Sequence, residues 1–510
     1  MRFNRTANTT RTFFFGVLSK MITILFPFIT RTIIIYKLGA EYVGLTSLFN
    51  SVLQILNVSE LGISSAISFC LYKPIAEEDN DTINALMALM RKLYKIIGGV
   101  ILGTGIMIIP FLGNFISGTY PETMNIYILY MIYLLNAVVS YFGFAYKGVL
   151  FEAYQQGDVN HKILSIVEVF KYLAQIVILL RFANYYWFAA ILPLSSILVT
   201  VITEIVSKKR YPDIVPEGTV SKDLKNVIRK KVMFLSAHSI AATLTNSIDN
   251  IVISGSLGLV ATAIYGNYFY IFSAVTSIIV ILFRAIKPVV GNSIYSDSAE
   301  KRDELFDAIQ FLIYWITVWS STCLLCLYQP FMQVWVGEYY ILGINSVMMI
   351  VLYYYGNIIK LSFSNIYIDA AGLWDKTLVR QIVVALINLV LDISLVKRFG
   401  IAGIVFASFF ATAIVGLPLD VIVTYKYVLK HNAKSGLIKT AVQFGLAVLI
   451  CLASFWLCNE IYTSSVILNL IIDIIISCFV PNIILLLIFR NSHQFHFLLQ
   501  HASGLLKKRK

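Results

Sequence analysis

Lys20 and Arg31 stand eleven residues apart in SKMITILFPFITR (19–31), inside a long apolar run. A basic side chain at the centre of a membrane helix costs about 2.5–3.5 kcal/mol on insertion scales. Two such side chains kept on one face suit the lining of a cavity. Eleven helical residues make about three turns, so the two cations share one face some ~16 Å apart along the axis. Pro27 lies between them and is positioned to kink the helix. Snorkelling of each side chain to its own interface is the alternative.

Other polar groups fall in similarly apolar surroundings. Asn246, Asp249 and Asn250 follow an i, i+3, i+4 pattern and make one polar helix face. Asp249 suits either a structural ion pair or the carriage of a proton or sodium ion. Asn57 and Glu60 lie a turn apart in QILNVSELG. Burial would raise the Glu60 pKa and fit it for proton coupling, with a salt bridge to Lys20 or Arg31 as the plainer reading. Arg284 and Lys287 in LFRAIKP suit either anion binding or interfacial anchoring. Asn357, Lys360, Asn365 and Asp369 line another stretch, whereas Glu168 and Lys171 are placed to neutralise each other. The run YGNYFYIF (265–272) offers tyrosine faces on which sugar rings could stack. The C-x-x-C of Cys323 and Cys326 lies within TCLLCLY and reads as two buried small hydrophobes. No metal or cofactor motif accompanies it, and none is expected.

The elements that must carry these residues are membrane helices. Of 510 residues, 58% are hydrophobic and 13% charged, and the mean hydropathy is +0.80. Apolar runs of 18 or more residues, each long enough to span a hydrocarbon core of ~30 Å, recur from end to end. Fourteen spans are expected, near 13–37, 43–71, 93–112, 124–150, 162–180, 186–206, 232–254, 260–287, 306–328, 340–367, 378–396, 401–425, 437–458 and 464–489. The first shows no small-residue cleavage site and reads as a retained span. The longest connector is the basic segment 207–231, so no soluble domain is available to house separate chemistry.

Of the 40 Lys and Arg residues, 32 fall in the N-terminal arm, the even-to-odd connectors and the C-terminal tail. Only Lys37, Arg181, Lys397 and Arg398 fall in the opposite loops. The positive-inside rule then predicts that both termini are cytoplasmic. The net charge of +13 becomes a basic rim facing anionic lipid heads, and nucleic acid is not an expected partner.

Three pairs of stretches recur in the same order at offsets of about 213–220 residues. YFGFAYK (141–147) pairs with YYGNIIK (354–360), IIPFLGNFISG (108–118) with LYQPFMQVWVG (327–337), and IIIYKLGAEYVGL (33–45) with IVISGSLGLVATAI (251–264). Lys147 and Lys360 are repeat partners and are expected at the same cytosolic level. These matches predict two six-helix lobes in parallel pseudo-two-fold repeat. The boundaries are 1–206 and 232–430, joined by the linker 207–231, with a helix pair and basic tail in 431–510. Transporters built from parallel repeats bind substrate between the halves and alternate access to it.

The stretches LSKMITILFPFITRTIIIYKLGAEYVGLTSLF, LGISSAIS, DNIVISGSLGLVATAIYGNYFYIF, CLLCLYQPFMQVWVG and NLVLDISLVKRFGIAGIVFAS resemble polysaccharide (Wzx-type) flippases. The superfamily of these proteins also holds the MATE drug exporters and lipid II flippases. The resemblance implies an all-α integral membrane fold of about 14 helices, two six-helix lobes around a central cavity. It also implies a substrate, an oligosaccharide on undecaprenyl pyrophosphate moved from the inner to the outer leaflet of a bacterial cytoplasmic membrane. A polysaccharide polymerase and glycosyltransferases are the implied partner proteins. No short signature transfers residue roles, so the site rests on the residues themselves: Lys20, Arg31, Asn246, Asn250, Arg284 and Lys360 for substrate, Glu60 and Asp249 for an H+ or Na+ coupling ion. The rival readings are a MATE-type cation antiporter, a lipid II or spore-wall flippase, and an integral-membrane enzyme. The mainly basic lining disfavours the first. Short external loops without a His, Asp or Cys cluster disfavour the last, and no catalytic residue is expected.

Overall fold

The computed structural model describes residues 5–57, 62–118, 120–121, 124–461 and 463–507, without the side chains of 5–14, 234–235, 237–238, 241–242, 246 and 501–507. Among the described residues it is all-helical, with no strand. Ten helices are long and apolar enough to cross a membrane, or eleven if Ile126–Phe142 and Ala145–Ala153, bent by 53°, make one span. The protein is therefore a multi-pass membrane protein.

In chain order the helices are α1 (Arg5–Lys37), α2 (Ala40–Leu56), α3 (Ile63–Glu77), α4 (Asn80–Ile108), α5 (Ile126–Phe142), α6 (Gly148–Ala153), α7 (Gly157–Phe182), α8 (Tyr185–Arg210), α9 (Lys222–Leu257) and α10 (Leu259–Ser296). There follow α11 (Ala299–Val336), α12 (Ile344–Ser362), α13 (Trp374–Phe409), α14 (Leu417–Val423), α15 (Ala433–Glu460), α16 (Val466–Phe489) and α17 (His493–Lys507). The expected span 43–71 is divided between α2 and α3, and the expected spans 378–396 and 401–425 lie in one helical stretch, 374–429. That stretch leaves helical geometry at Gly400 (φ 58°, ψ −139°).

Short connectors work because capping residues restart the helices. Asn125, Asn184, Ser221 and Ser298 each accept a bond from a backbone amide of the following first turn. At the sharpest corners glycine is required. Gly39 (φ 117°, ψ 161°) joins α1 to α2, and Gly258 (φ 88°, ψ 178°) joins α9 to α10. Both lie in a region essentially closed to residues bearing a Cβ.

The chain divides into two compact units, residues 1–263 and 264–510. In the first unit α1 packs along α7, α5 and α7 pack on α8, and α2 packs on α9. Gly44 lets α2 meet the backbone carbonyl of Leu259, where any Cβ would collide. In the second unit α11 is the hub, touching α12, α15 and α16.

Between lipid-embedded helices close packing and interhelical hydrogen bonds replace the hydrophobic driving force, at about 0.6 kcal/mol per bond. Ser196 donates to Asn136 (2.7 Å) and Gln175 to the Phe188 carbonyl (3.1 Å) in the first unit. Trp315 donates to Asn482 (2.7 Å) and Tyr354 to Ser320 (3.0 Å) in the second.

Candidate functional site

In the first unit α1 carries both opening cations. Lys20 is half-buried and forms no ion pair among the described residues. Arg31, also half-buried, points a guanidinium Nη2 at the carbonyl of Ala263 (3.4 Å). Within its electrostatic reach is the Tyr185 hydroxyl. This hydroxyl belongs to a buried cluster that sequence pattern does not reveal, because α2, α5 and α8 each supply one member. Tyr185 shares a hydrogen bond with Thr46 and another with Tyr133 (3.0 Å), and it donates to the Tyr42 carbonyl (3.3 Å).

The polar face of α9 packs on α2. Asn250 donates to Ser51 (3.0 Å) and Ser247 to Gln54 (3.1 Å), while Asp249 is buried. Ser51, Gln54 and Ser247 are additions that only the helix pairing exposes. Glu60 and the Asn246 side chain lie outside the described residues. The expected neutralisation of Glu168 by Lys171 is present as an ion pair on α7.

Lys147, the repeat partner of Lys360, lies in the first unit. It is buried and forms an ion pair with Glu204 of α8 (2.6 Å), and Lys208 approaches the other oxygen of that carboxylate (2.9 Å).

In the second unit Arg284 is exposed on α10 and forms no ion pair among the described residues, whereas Lys287 pairs with Asp369 (3.1 Å). Lys360 lies near the end of α12. Its stem runs past Gly416, where a Cβ would stand 3.3 Å from the Lys360 Cε. Beside it is a buried ion pair between Arg380 of α13 and Asp420 of α14, and Ser364 donates to the same carboxylate (2.7 Å). The charges of Arg380 and Asp420 both act on Lys360, but among the described residues Lys360 has no ion pair of its own.

Three π-helical turns surround this group: 363–368 after α12, 410–416 before α14 and 424–429 after it. Such turns widen the helix by one residue and recur at functional sites. Two of them flank α14, so α-helical spacing does not anticipate where Asp420 stands.

Much of the run 265–272 packs inside the unit, with Tyr270 half-buried. Tyr265, Tyr268 and Phe272 are buried, and Phe272 stacks on Tyr353 at 5.2 Å. The Tyr268 hydroxyl donates to Gln329 (2.7 Å) and accepts from the Leu342 amide (3.1 Å). A helix places residues 265, 268 and 272 on one face, and in the second unit that face is the inner one. The six cysteines are free thiols. Among the described residues no group of three or more metal-ligating side chains forms.

Comparison with known proteins locates this architecture. A family model described as "polysaccharide biosynthesis protein" matches residues 9–294. No curated protein matches the chain. Among solved structures, the lipid II flippase MurJ in an inward closed conformation is similar over 95% of this chain and 99% of its own, with 15% identity and a TM-score of 0.64. An inward-facing multidrug resistance MATE family transporter of the MOP superfamily is similar over 83% and 94%, with 15% identity and a TM-score of 0.59. A MOP superfamily transporter from Pyrococcus furiosus, described as having a binding pocket of reverse polarity, covers 88% and 97% with 14% identity and a TM-score of 0.56. At these identities the likeness is one of fold.

Proposed function

Because the chain belongs to the polysaccharide biosynthesis protein family, we propose that it is a flippase for lipid-linked oligosaccharides. Its substrate would be a repeat unit on a polyprenyl diphosphate such as undecaprenyl pyrophosphate, carried from the inner to the outer leaflet of a bacterial cytoplasmic membrane by alternating access. Both termini face the cytoplasm in this reading, in line with the 32-to-4 bias of Lys and Arg. The sequence repeats 1–206 and 232–430 are its two mechanical halves, with 431–510 as an accessory segment.

The family match carries this reading, and the charge balance of the intramembrane groups supports it. A diphosphate moved bare through ~30 Å of hydrocarbon would meet a barrier of tens of kcal/mol. Fixed cations in a hydrated path remove most of that barrier while the polyprenyl tail stays in lipid. Lys20, Arg284 and Lys360 would receive the diphosphate from the cytosolic leaflet, and Arg31 would hold it nearer the outer side. Asn246 and Asn250 would supply hydrogen bonds.

Resetting the carrier needs an energy source, for which Glu60 and Asp249 are the candidate carboxylates, with H+ or Na+ as the coupling ion. Surface polysaccharide in cells carrying Arg31→Ala tests the assignment. Loss of export with the protein still in the membrane is expected, and normal export would remove Arg31 from the site. The fold likeness to MATE transporters makes cation export the second reading, and drug resistance on overexpression would favour it.

A further inference from the structure

Lys147 and Lys360 stand at corresponding positions of the sequence repeat, yet their surroundings differ in one respect. In the first unit the carboxylate of Glu204 takes the Lys147 ammonium at one oxygen (2.6 Å) and the exposed Lys208 at the other (2.9 Å). Asp420 follows Glu204 by 216 residues, within the range of the repeat offsets, and stands beside Lys360 as Glu204 stands beside Lys147. There the carboxylate is already filled. Arg380 pairs with it, Ser364 donates to it, and Lys360 is left without an ion pair among the described residues. The helices differ accordingly. Glu204 sits on the unbroken helix α8, whereas Asp420 sits on α14 between two π-helical turns.

We infer that Arg380 is a positioning residue, one that occupies Asp420 and thereby keeps the Lys360 ammonium available to an anionic, diphosphate-bearing substrate. Arg380 Nη1 holds one oxygen of Asp420 and Ser364 holds the other, while Arg380 Nη2 donates to Gln381, so both carboxylate oxygens are engaged without Lys360. With Arg380 present, Lys360 is the poorer competitor for Asp420. With Arg380 absent, Asp420 becomes a buried carboxylate within reach of Lys360, and the pair seen at Lys147 and Glu204 is the expected result. Gly416 contributes by leaving room for the Lys360 stem. Arg380 thus acts through Lys360 and need not touch the substrate. The inference rests on the reading of Lys360 as a substrate contact, and the experiment separates the two.

Purified protein is reconstituted in vesicles holding a polyprenyl-diphosphate oligosaccharide, and leaflet transfer is followed as a function of substrate density. Arg380→Gln is expected to raise the apparent KM about tenfold or more, the effect of losing a charged hydrogen bond, with little change in kcat. Arg380→Lys, which can still fill Asp420, stays close to the parent. Arg380→Gln combined with Asp420→Asn releases Lys360 again and restores most of the lost affinity. That rescue is not expected of a cluster that merely holds the helices together. An Arg380→Gln variant with parental KM, or a double variant no better than the single one, overturns the inference. If Arg380→Gln alone fails to fold, the double variant and Arg380→Lys decide, since either one losing affinity contradicts it. Lys360→Gln is measured alongside. A parental KM there overturns the underlying assignment of Lys360, whereas a raised KM in Lys360→Gln with none in Arg380→Gln overturns only the role of Arg380.

Discussion

Gly39 and Gly258, 219 residues apart, adopt the same glycine-only backbone conformation at equivalent helix corners. Gly118 (φ 80°) and Gly337 (φ 86°), also 219 residues apart, both take positive φ. The internal repeat seen in the sequence therefore extends to backbone geometry. Replacing Gly258 by Ala places a Cβ 2.8 Å from the Ser117 carbonyl oxygen and forces a strained φ/ψ costing about 1–3 kcal/mol. A lower melting temperature of the detergent-solubilised protein checks this, and an unchanged one contradicts it.

Glu204 neutralises a buried Lys147. Removing one partner of a buried pair strands the other charge and costs about 3–5 kcal/mol. Glu204→Gln should therefore lower the amount of folded protein in the membrane, as read by fluorescence-detected size exclusion. Lys147→Met combined with Glu204→Met should recover most of it.

Asp79 caps α4 by accepting from the amide and hydroxyl of Thr82 (3.0 and 2.6 Å). These hydrogen bonds hold its carboxyl below the usual Asp range. The stabilisation is complete above the unfolded pKa of about 3.9 and is lost as pH falls through the lower folded value. The thermal stability of Asp79→Ala should thus trail the parent at pH 7, with the gap closing below about pH 4. A gap that persists there would refute the capping role.

Coupling through carboxylates predicts that Glu60→Gln combined with Asp249→Asn slows transport or uncouples it from the ion gradient. Transfer by the double variant at the parental rate under every gradient would eliminate these residues as ion carriers.

The helices were legible because membrane insertion demands long apolar runs. Local features were less legible. The break between α2 and α3 falls inside one apolar run, so hydropathy alone joins them. Arg380 stands at the edge of an expected span and reads as part of the basic rim, but α13 begins at Trp374 and draws it inside. Asp420 meets Arg380 from α14, which lies between two π-helical turns that α-helical spacing does not anticipate. The tyrosines of 265–272 look like a sugar platform in sequence, and only the position of α10 in its unit shows Tyr265 and Tyr268 buried.

The central claim is tested most directly by reconstitution. Purified protein in vesicles containing a polyprenyl-diphosphate oligosaccharide is assayed for the fraction of glycan that becomes accessible to an added glycosidase. The account predicts transfer between leaflets well above that of protein-free vesicles and weakened by Arg31→Ala. Transfer no faster than in protein-free vesicles, from protein that exports organic cations in the same membranes, would contradict it.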